Sequence, residues 1–265
     1  MDVRSSIEAH YGYDDLVERI LAALRAAGYD VDNPTVEMLN LVDQLHGGGL
    51  DSTIAQAELA GVSQNMDVLD AGCGIGGSSR YLAYTHKCRV EAIDLTPQYV
   101  EAAERLNRLC GLENRISVRQ GSVTDLAYKD RTFDLVWCQN VTMNVEDKPR
   151  MFAEAYRVLM PGGRYTLSHV AQGENGKPYY PLPWARDPSY SFIETPDEIL
   201  ELLEAAGFTN IAVRQGKVSP AKLPPTQGLG PSVVMGPDMP IREANAVLSR
   251  QEGRLIGMLI IAERP

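Results

Sequence analysis

Hydrophobic positions recur at two different spacings along the chain, and the spacing changes near residue 66. In DDLVERILAALRAAG (14–28), Leu16, Val17, Ile20, Leu21 and Leu24 fall at helical intervals, and Gly28 ends the run. A second helix is predicted over TVEMLNLVDQL (35–45), with Asn33 as its cap and Pro34 in its first turn; it stops at Gly47, Gly48 and Gly49. A third, DSTIAQAELAG (51–61), again ends on glycine. Beyond residue 66, short apolar runs alternate with amphipathic ones. MDVLDAG (66–72), RVEAIDL (89–95), ISVRQGS (116–122), FDLVWCQ (133–139), GRYTLSHV (163–170), TNIAVRQG (209–216) and LIGMLIIAER (255–264) read as strands. Helices are predicted over GSSRYLAYTH (77–86), TPQYVEAAERLNRLCG (96–111), DKPRMFAEAYRVL (147–159), TPDEILELLEAAG (195–207) and REANAVLSRQ (242–251).

Such alternation predicts an α/β fold, a doubly wound, mostly parallel sheet with helices on both faces. Residues 1–62 form a helical cap in this reading, and residues 63–265 the strand–helix domain. Two stretches rich in proline and glycine break the rhythm, near 172–192 and 218–240; both are long for simple connections and read as functional insertions.

Charge and cysteine content narrow the function. The formal net charge is -10, with no lysine or arginine run, which disfavours nucleic acid and anionic membranes as partners. No apolar run reaches the roughly 18 residues needed to cross a bilayer. The segment MDVRSSIEAH lacks the basic-then-apolar pattern of a secretory leader. Cys73, Cys88, Cys110 and Cys138 show no metal-like spacing and read as free thiols of a cytoplasmic protein; no metal site is expected. Nothing in the sequence signals an oligomeric state.

The most informative stretch is GCGIGGSSRYLA (72–83), set between a strand and a helix. Gly72, Gly74 and Gly77 satisfy G-x-G-x-x-G, which also describes dinucleotide sites. Asp70, two residues earlier, separates the two readings. A carboxylate beside a helix N-terminus repels a pyrophosphate, but suits a ligand with a cationic amino-acid end and no phosphate. S-adenosylmethionine is such a ligand. Asp94, at the end of RVEAIDL, is placed to accept hydrogen bonds from ribose hydroxyls, with Leu95 beside it. Ser122 and Val123 fall where backbone meets an adenine edge. WCQNVTMN brings Gln139, Asn140, Met143 and Asn144 to the carboxyl end of the fourth strand, where cofactor and acceptor meet.

DVLDAGCGIGGSSRYLA, EAIDLT, GSVTDL, FDLVWCQNVTMNV and VLMPGGRYTLSHV, in that order, resemble the motifs of class I S-adenosylmethionine-dependent methyltransferases. The glycine loop is similar to that of tocopherol C-methyltransferases. The layout, with N-terminal helices and a YYPLPW insertion, resembles methyltransferases acting on sarcosine and dimethylglycine. The resemblance implies a seven-stranded sheet with an antiparallel last strand, and S-adenosylmethionine held by Asp70, Gly72, Gly74, Gly76, Asp94, Leu95, Ser122, Val123 and Gln139. It also implies N-terminal helices that close over the cofactor, with Tyr11, Gln44 and His46 as candidate contacts.

Catalytic candidates are His46, His169, Gln139 and Tyr11, the two histidines as bases near their ordinary pKa of about 6.5. Asn140, Met143, Asn144, Tyr179, Tyr180 and Trp184 are candidate acceptor contacts, the aromatic ones forming a wall for a cationic or apolar molecule. The expected partner is a small-molecule acceptor. An amine nitrogen is slightly preferred; carbon or oxygen of an aromatic or isoprenoid molecule is the alternative. A nicotinamide-dependent oxidoreductase and a cofactor-binding protein without turnover are the remaining classes.

Overall fold

A computed structural model describes residues 15–215 and 228–265. Tyr11 and residues 218–227 of the second insertion lie outside the described residues. Seven strands form one sheet: β1 (Asp67–Ala71), β2 (Arg89–Asp94), β3 (Ile116–Gln120), β4 (Phe133–Gln139), β5 (Leu159–Gln172), β6 (Thr209–Gln215) and β7 (Leu255–Glu263). Their order is β3-β2-β1-β4-β5-β7-β6. β1 to β5 pair in parallel, and β7 runs antiparallel to both β5 and β6.

The chain leaves β1 for β2 on one side and returns to β4 on the other. That reversal opens a crevice at the carboxyl ends of the central strands, the usual ligand position in open α/β sheets. Register brings the candidate residues there: Asp70 lies beside Ala92 and Trp137, Asp94 beside Gln120, and Gln139 beside Ser168.

Period-two alternation sends neighbouring strand residues to opposite faces. Leu69, Val136 and Tyr165 join Phe152 and Ile260 in one core, while Val68, Leu135 and Trp137 join Leu82 and Val90 in another. The helices are α1 (Leu16–Ala26), α2 (Val36–Leu39), α3 (Gly49–Ala60), α4 (Gly77–Thr85), α5 (Pro97–Leu109), α6 (Lys148–Val158), α7 (Pro196–Ala205), α8 (Ser232–Met235) and α9 (Met239–Gln251). Chain punctuation sets several of their starts. Asp147 Oδ1 accepts from Arg150 N at 3.0 Å, and Thr195 and Glu198 form a capping box ahead of α7.

The second predicted helix is the main departure. It spans only Val36–Leu39, and its cap is Thr35 rather than Asn33. Past Leu39 the backbone tightens into turns, with Val42 N donating to Leu39 O. The turns carry Asp43 and Gln44 inward, where both side chains are buried and hydrogen-bonded. The N-terminal helices share a buried cluster with the strand–helix domain: Ile20, Leu24 and Leu39 pack with Leu106 of α5 and with Val234 and Met239 of the second insertion.

Candidate functional site

A cavity of about 1610 Å³ sits over the carboxyl ends of β1, β2 and β4, roofed by the segment before α3 and by α8 and α9. One half of it is built by the glycine loop. Gly72 N and Cys73 N both donate to Ile93 O, at 2.9 and 2.8 Å, which ties the loop to β2. Gly72 has φ +88°, and a Cβ there would meet Val141 Cγ2 at 2.4 Å, so the position demands glycine. Asp94 Oδ2 accepts from Gly74 N (2.8 Å), and its Oδ1 accepts from Thr96 N (2.9 Å). Ser79 Oγ donates to Asp70 Oδ2 at 2.5 Å.

Burial pushes the Asp70 carboxyl up to about 7; the Ser79 hydroxyl opposes the shift, and the nearby Asp94 charge adds to it. Burial also raises the Asp94 pKa, against the pull of the Thr96 and Gly74 amides. A buried Asp70 and a half-buried Asp94 held this way fit a ligand that brings positive charge to one and hydroxyl donors to the other.

The N-terminal segment is locked onto this loop. Arg80, fully buried in α4, donates to Asp43 Oδ2 (2.9 Å), Asn107 Oδ1 (2.9 Å) and Ile75 O (2.7 Å). A Cβ at Gly77 would lie 2.6 Å from Asp43 O, so only glycine lets the two backbones approach. At the roof, Thr53 Oγ1 donates to Gln44 Oε1 (2.7 Å) and accepts from Gln139 Nε2 (3.2 Å). Ser78 Oγ donates to Gln139 Oε1 (2.6 Å), and His46 Nε2 lies 3.3 Å from Thr53 Oγ1. Burial drives the His46 pKa down to about 4, leaving a neutral ring at neutral pH. Its Nδ1 is buried and has no partner among the described residues.

The other half is mostly apolar and is built from the insertions. Met143, Trp184, Leu229, Met235, Met239 and Leu255 line it. The first insertion is pinned from below. Asn144 Nδ2 donates to Trp184 O (3.0 Å), Trp184 Nε1 to Ser191 Oγ (2.9 Å), and the buried Lys148 ammonium pairs with Glu194 (2.7 Å).

Asp70, Gly72, Gly74, Asp94, Leu95, Ser122, Val123, Gln44, His46, Gln139, Asn140, Met143, Asn144 and Trp184 therefore share one cavity wall. Several candidates stand elsewhere. His169 is not at the wall: β5 continues to Gln172, so the residue sits within the strand, 1% exposed, with Nδ1 2.7 Å from Thr142 Oγ1. Burial lowers its pKa to about 3. Tyr179 points away, its hydroxyl on Glu252 (2.8 Å) and its ring against the Arg254 guanidinium. Tyr180 packs on the small core around Trp184 and Tyr190. Gly76 lies behind the loop, where its missing side chain leaves room for the Arg80 guanidinium. Thr53, Glu243 and Arg250 are site-region residues that the sequence pattern did not single out; they sit on helices, where polar side chains read as solvated faces.

Residues 69–167 match the family model described as a methyltransferase domain. Those residues form a methyltransferase domain. The chain is similar to a sarcosine/dimethylglycine N-methyltransferase of Halorhodospira halochloris, 37% identical over 108 residues, which are 41% of this chain and 39% of that protein. The chain spans 20% to 39% of the length of the first curated relatives it matches. Among solved structures, a geranyl diphosphate C-methyltransferase from Streptomyces coelicolor A3(2) superposes with a TM-score of 0.69 at 20% identity, covering 100% of this chain and 99% of that one. A 4+2 cyclase superposes equally well, with a TM-score of 0.69 at 22% identity over 100% and 97% of the two chains. At these identities the superpositions establish the fold of the methyltransferase domain and its surroundings. No helix of the described residues is long and apolar enough to cross a membrane.

Proposed function

We propose that this chain moves a methyl group from S-adenosylmethionine to a small molecule bound in the apolar half of the cavity. The observation that carries the reading is continuity: the wall runs unbroken from Asp70 and Asp94 to Met143 and Trp184. Bound at the glycine loop, S-adenosylmethionine would supply a methyl already activated on a sulfonium. Asp70 holds the cationic amino-acid end, Asp94 takes the ribose hydroxyls, and Ser122 and Val123 border the adenine. Gln139 and Thr53, hydrogen-bonded to each other, set the boundary between the two ligands. The roof segment and the insertion walls exclude water from that boundary.

An amine nitrogen is the first choice of acceptor atom. The name of the Halorhodospira relative supports it, and an unprotonated amine needs no base. A second reading rests on the apolar wall and the cavity volume. At about 1610 Å³ the cavity exceeds the roughly 300–1,000 Å³ of a typical small-molecule site, leaving room for a bulky aromatic or isoprenoid acceptor beside a cofactor. Carbon or oxygen would then accept the methyl, and the neutral His46 ring is the group able to take the proton. Four free thiols fit a reducing compartment, and we read the protein as cytoplasmic.

Methyl-labelled S-adenosylmethionine, offered with one pool of amines and amino acids and another of phenols, indoles and isoprenoids, tests both. Label in the amine pool supports the first reading and label in the other pool the second. Label in neither, with the cofactor bound, overturns methyl transfer.

A further inference from the structure

The cavity wall is rich in carboxylates, among them Asp51, Asp147 and Glu243, and Arg250 is the only lysine or arginine among its described lining residues. Arg250 is the penultimate residue of α9. Its guanidinium reaches across to the turn before α3, where a Cβ at Gly47 would lie 3.5 Å from Nη1 and 3.8 Å from Nη2. Its Nε is buried and has no hydrogen-bond partner among the described residues. Burial lowers its pKa, and no neighbouring carboxylate offsets that. The fully buried guanidiniums of this fold are treated differently: Arg80 is matched by Asp43, and Arg242 by Asp238 at 2.6 Å. Arg250 is half-buried rather than fully buried, and a partly desolvated cation without a counter-charge is still costly to keep. Its position at the junction of the two cavity halves suggests that the counter-charge arrives with a ligand.

We propose that Arg250 receives a carboxylate carried by the acceptor. Two parallel N–H···O bonds suit the fork of a guanidinium and the two oxygens of a carboxylate. The charge count favours one negative charge rather than two, because the surrounding wall is acidic and the net charge is -10. On α9, Met239, Glu243, Ala246 and Arg250 follow at intervals of four, three and four, so they share one helix face toward the cavity. The acceptor's apolar body lies along Met239 and Ala246 toward Trp184, with its carboxylate at the Gly47 turn beside His46. Calling this ligand the acceptor rests on the methyltransferase reading; the anion site itself does not.

Calorimetric titrations of decanoate, decanamide and decyl phosphate, with and without S-adenosylmethionine, test the proposal on the full chain. Decanoate should bind at least tenfold more tightly than decanamide, Arg250→Met should remove that difference, and Arg250→Lys should restore part of it. A melting temperature of Arg250→Met at or above that of the unaltered chain shows that the loss is not unfolding. Equal affinities for decanoate and decanamide, an undiminished preference in Arg250→Met, or no binding of any probe overturns the proposal. Tighter binding of decyl phosphate than of decanoate overturns the choice of a single charge. Failure of S-adenosylmethionine to bind, with the carboxylate preference intact, sinks the methyltransferase reading and leaves the anion site standing.

Discussion

The two halves of the cavity are built by opposite means. Around the glycine loop nearly every polar group has a fixed protein partner: Asp94 holds two backbone amides, Asp70 a hydroxyl, and Arg80 a carboxylate, an amide oxygen and a carbonyl. Across the cavity methionine, leucine and tryptophan dominate a wall that also carries Glu243, and the Arg250 Nε has no hydrogen-bond partner among the described residues. A pre-arranged polar half suits one invariant ligand, because its hydrogen bonds form without reorganisation. An apolar half rich in methionine accommodates different shapes at little cost. Under the proposed function, the contrast assigns cofactor recognition to the sheet and acceptor choice to the insertions.

The sharpest way to break the comparison is at the Arg80–Asp43 pair, since it attaches the roof to the loop. Arg80→Met leaves a buried carboxylate without its cation and should cost about 3–5 kcal/mol of stability by denaturant unfolding. Adding Asp43→Leu should recover much of that loss. If Arg80→Met alone costs under 1 kcal/mol, the roof is not held by this pair.

Next in size is Asp94→Ala. Two charge-assisted hydrogen bonds to ribose, at roughly 1.5–3 kcal/mol each, predict a cofactor affinity weakened about 100-fold or more, with the fold retained. Asp94 also holds Gly74 N and Thr96 N, so the loop itself loosens. Gly74→Val acts on the same half, because Gly74 has φ +55° and its Cβ position has only ordinary contacts with protein. A side chain there takes up ligand space and strains the turn. Undiminished affinity in both variants would remove this half from cofactor binding.

This half was legible in the sequence because backbone geometry constrains residue choice. Gly72 has no alternative beside Val141, and an acid must end β2 for two loop amides to be satisfied. The strand pattern placed all seven strands for the same reason: alternation is a local signal. The apolar half had no such signature. Glu243 and Arg250 on α9 look like any amphipathic helix face, and only the tertiary fold carries Arg250 to Gly47. His169 misled in the opposite direction. Its place near the end of an apolar run suggested a ligand-facing tip, but three further residues of strand, Val170, Ala171 and Gln172, pair with β7 and carry the tip past it. Asp43 was hidden because a helical pattern through residue 45 gives no sign that the chain turns inward at 40.

A third effect, about tenfold per pH unit, distinguishes the halves by titration. In the free protein the Asp70 carboxyl is pushed up to about 7, chiefly by burial. A ligand ammonium beside it favours the ionised form, so binding releases a proton. S-adenosylmethionine affinity should rise by up to about tenfold per unit as pH climbs toward 7, then level off. Folding alone runs the other way. A carboxyl raised from its ordinary value of 3.8 destabilises the free chain increasingly as pH rises from about 4 to about 7, and fully above that. Asp70→Asn should flatten both slopes. An affinity independent of pH between 5.5 and 8 would show that Asp70 does not meet the cationic end.

The smallest expected effect lies at the seam, in His46→Gln. The ring is neutral above pH 5, and Gln keeps a polar group facing Thr53. For an amine acceptor, already unprotonated when it attacks, kcat should fall by less than about tenfold, with no new pH dependence between 6 and 9. A proton-releasing acceptor makes a different demand. With His46 as base, the same substitution removes about 10²–10⁴-fold of rate, and activity of the unaltered enzyme falls only as pH drops toward about 4. Cofactor affinity measured alongside keeps the test on the acceptor side: a variant that binds S-adenosylmethionine normally but loses a hundredfold in kcat would move the acceptor atom from nitrogen to carbon or oxygen.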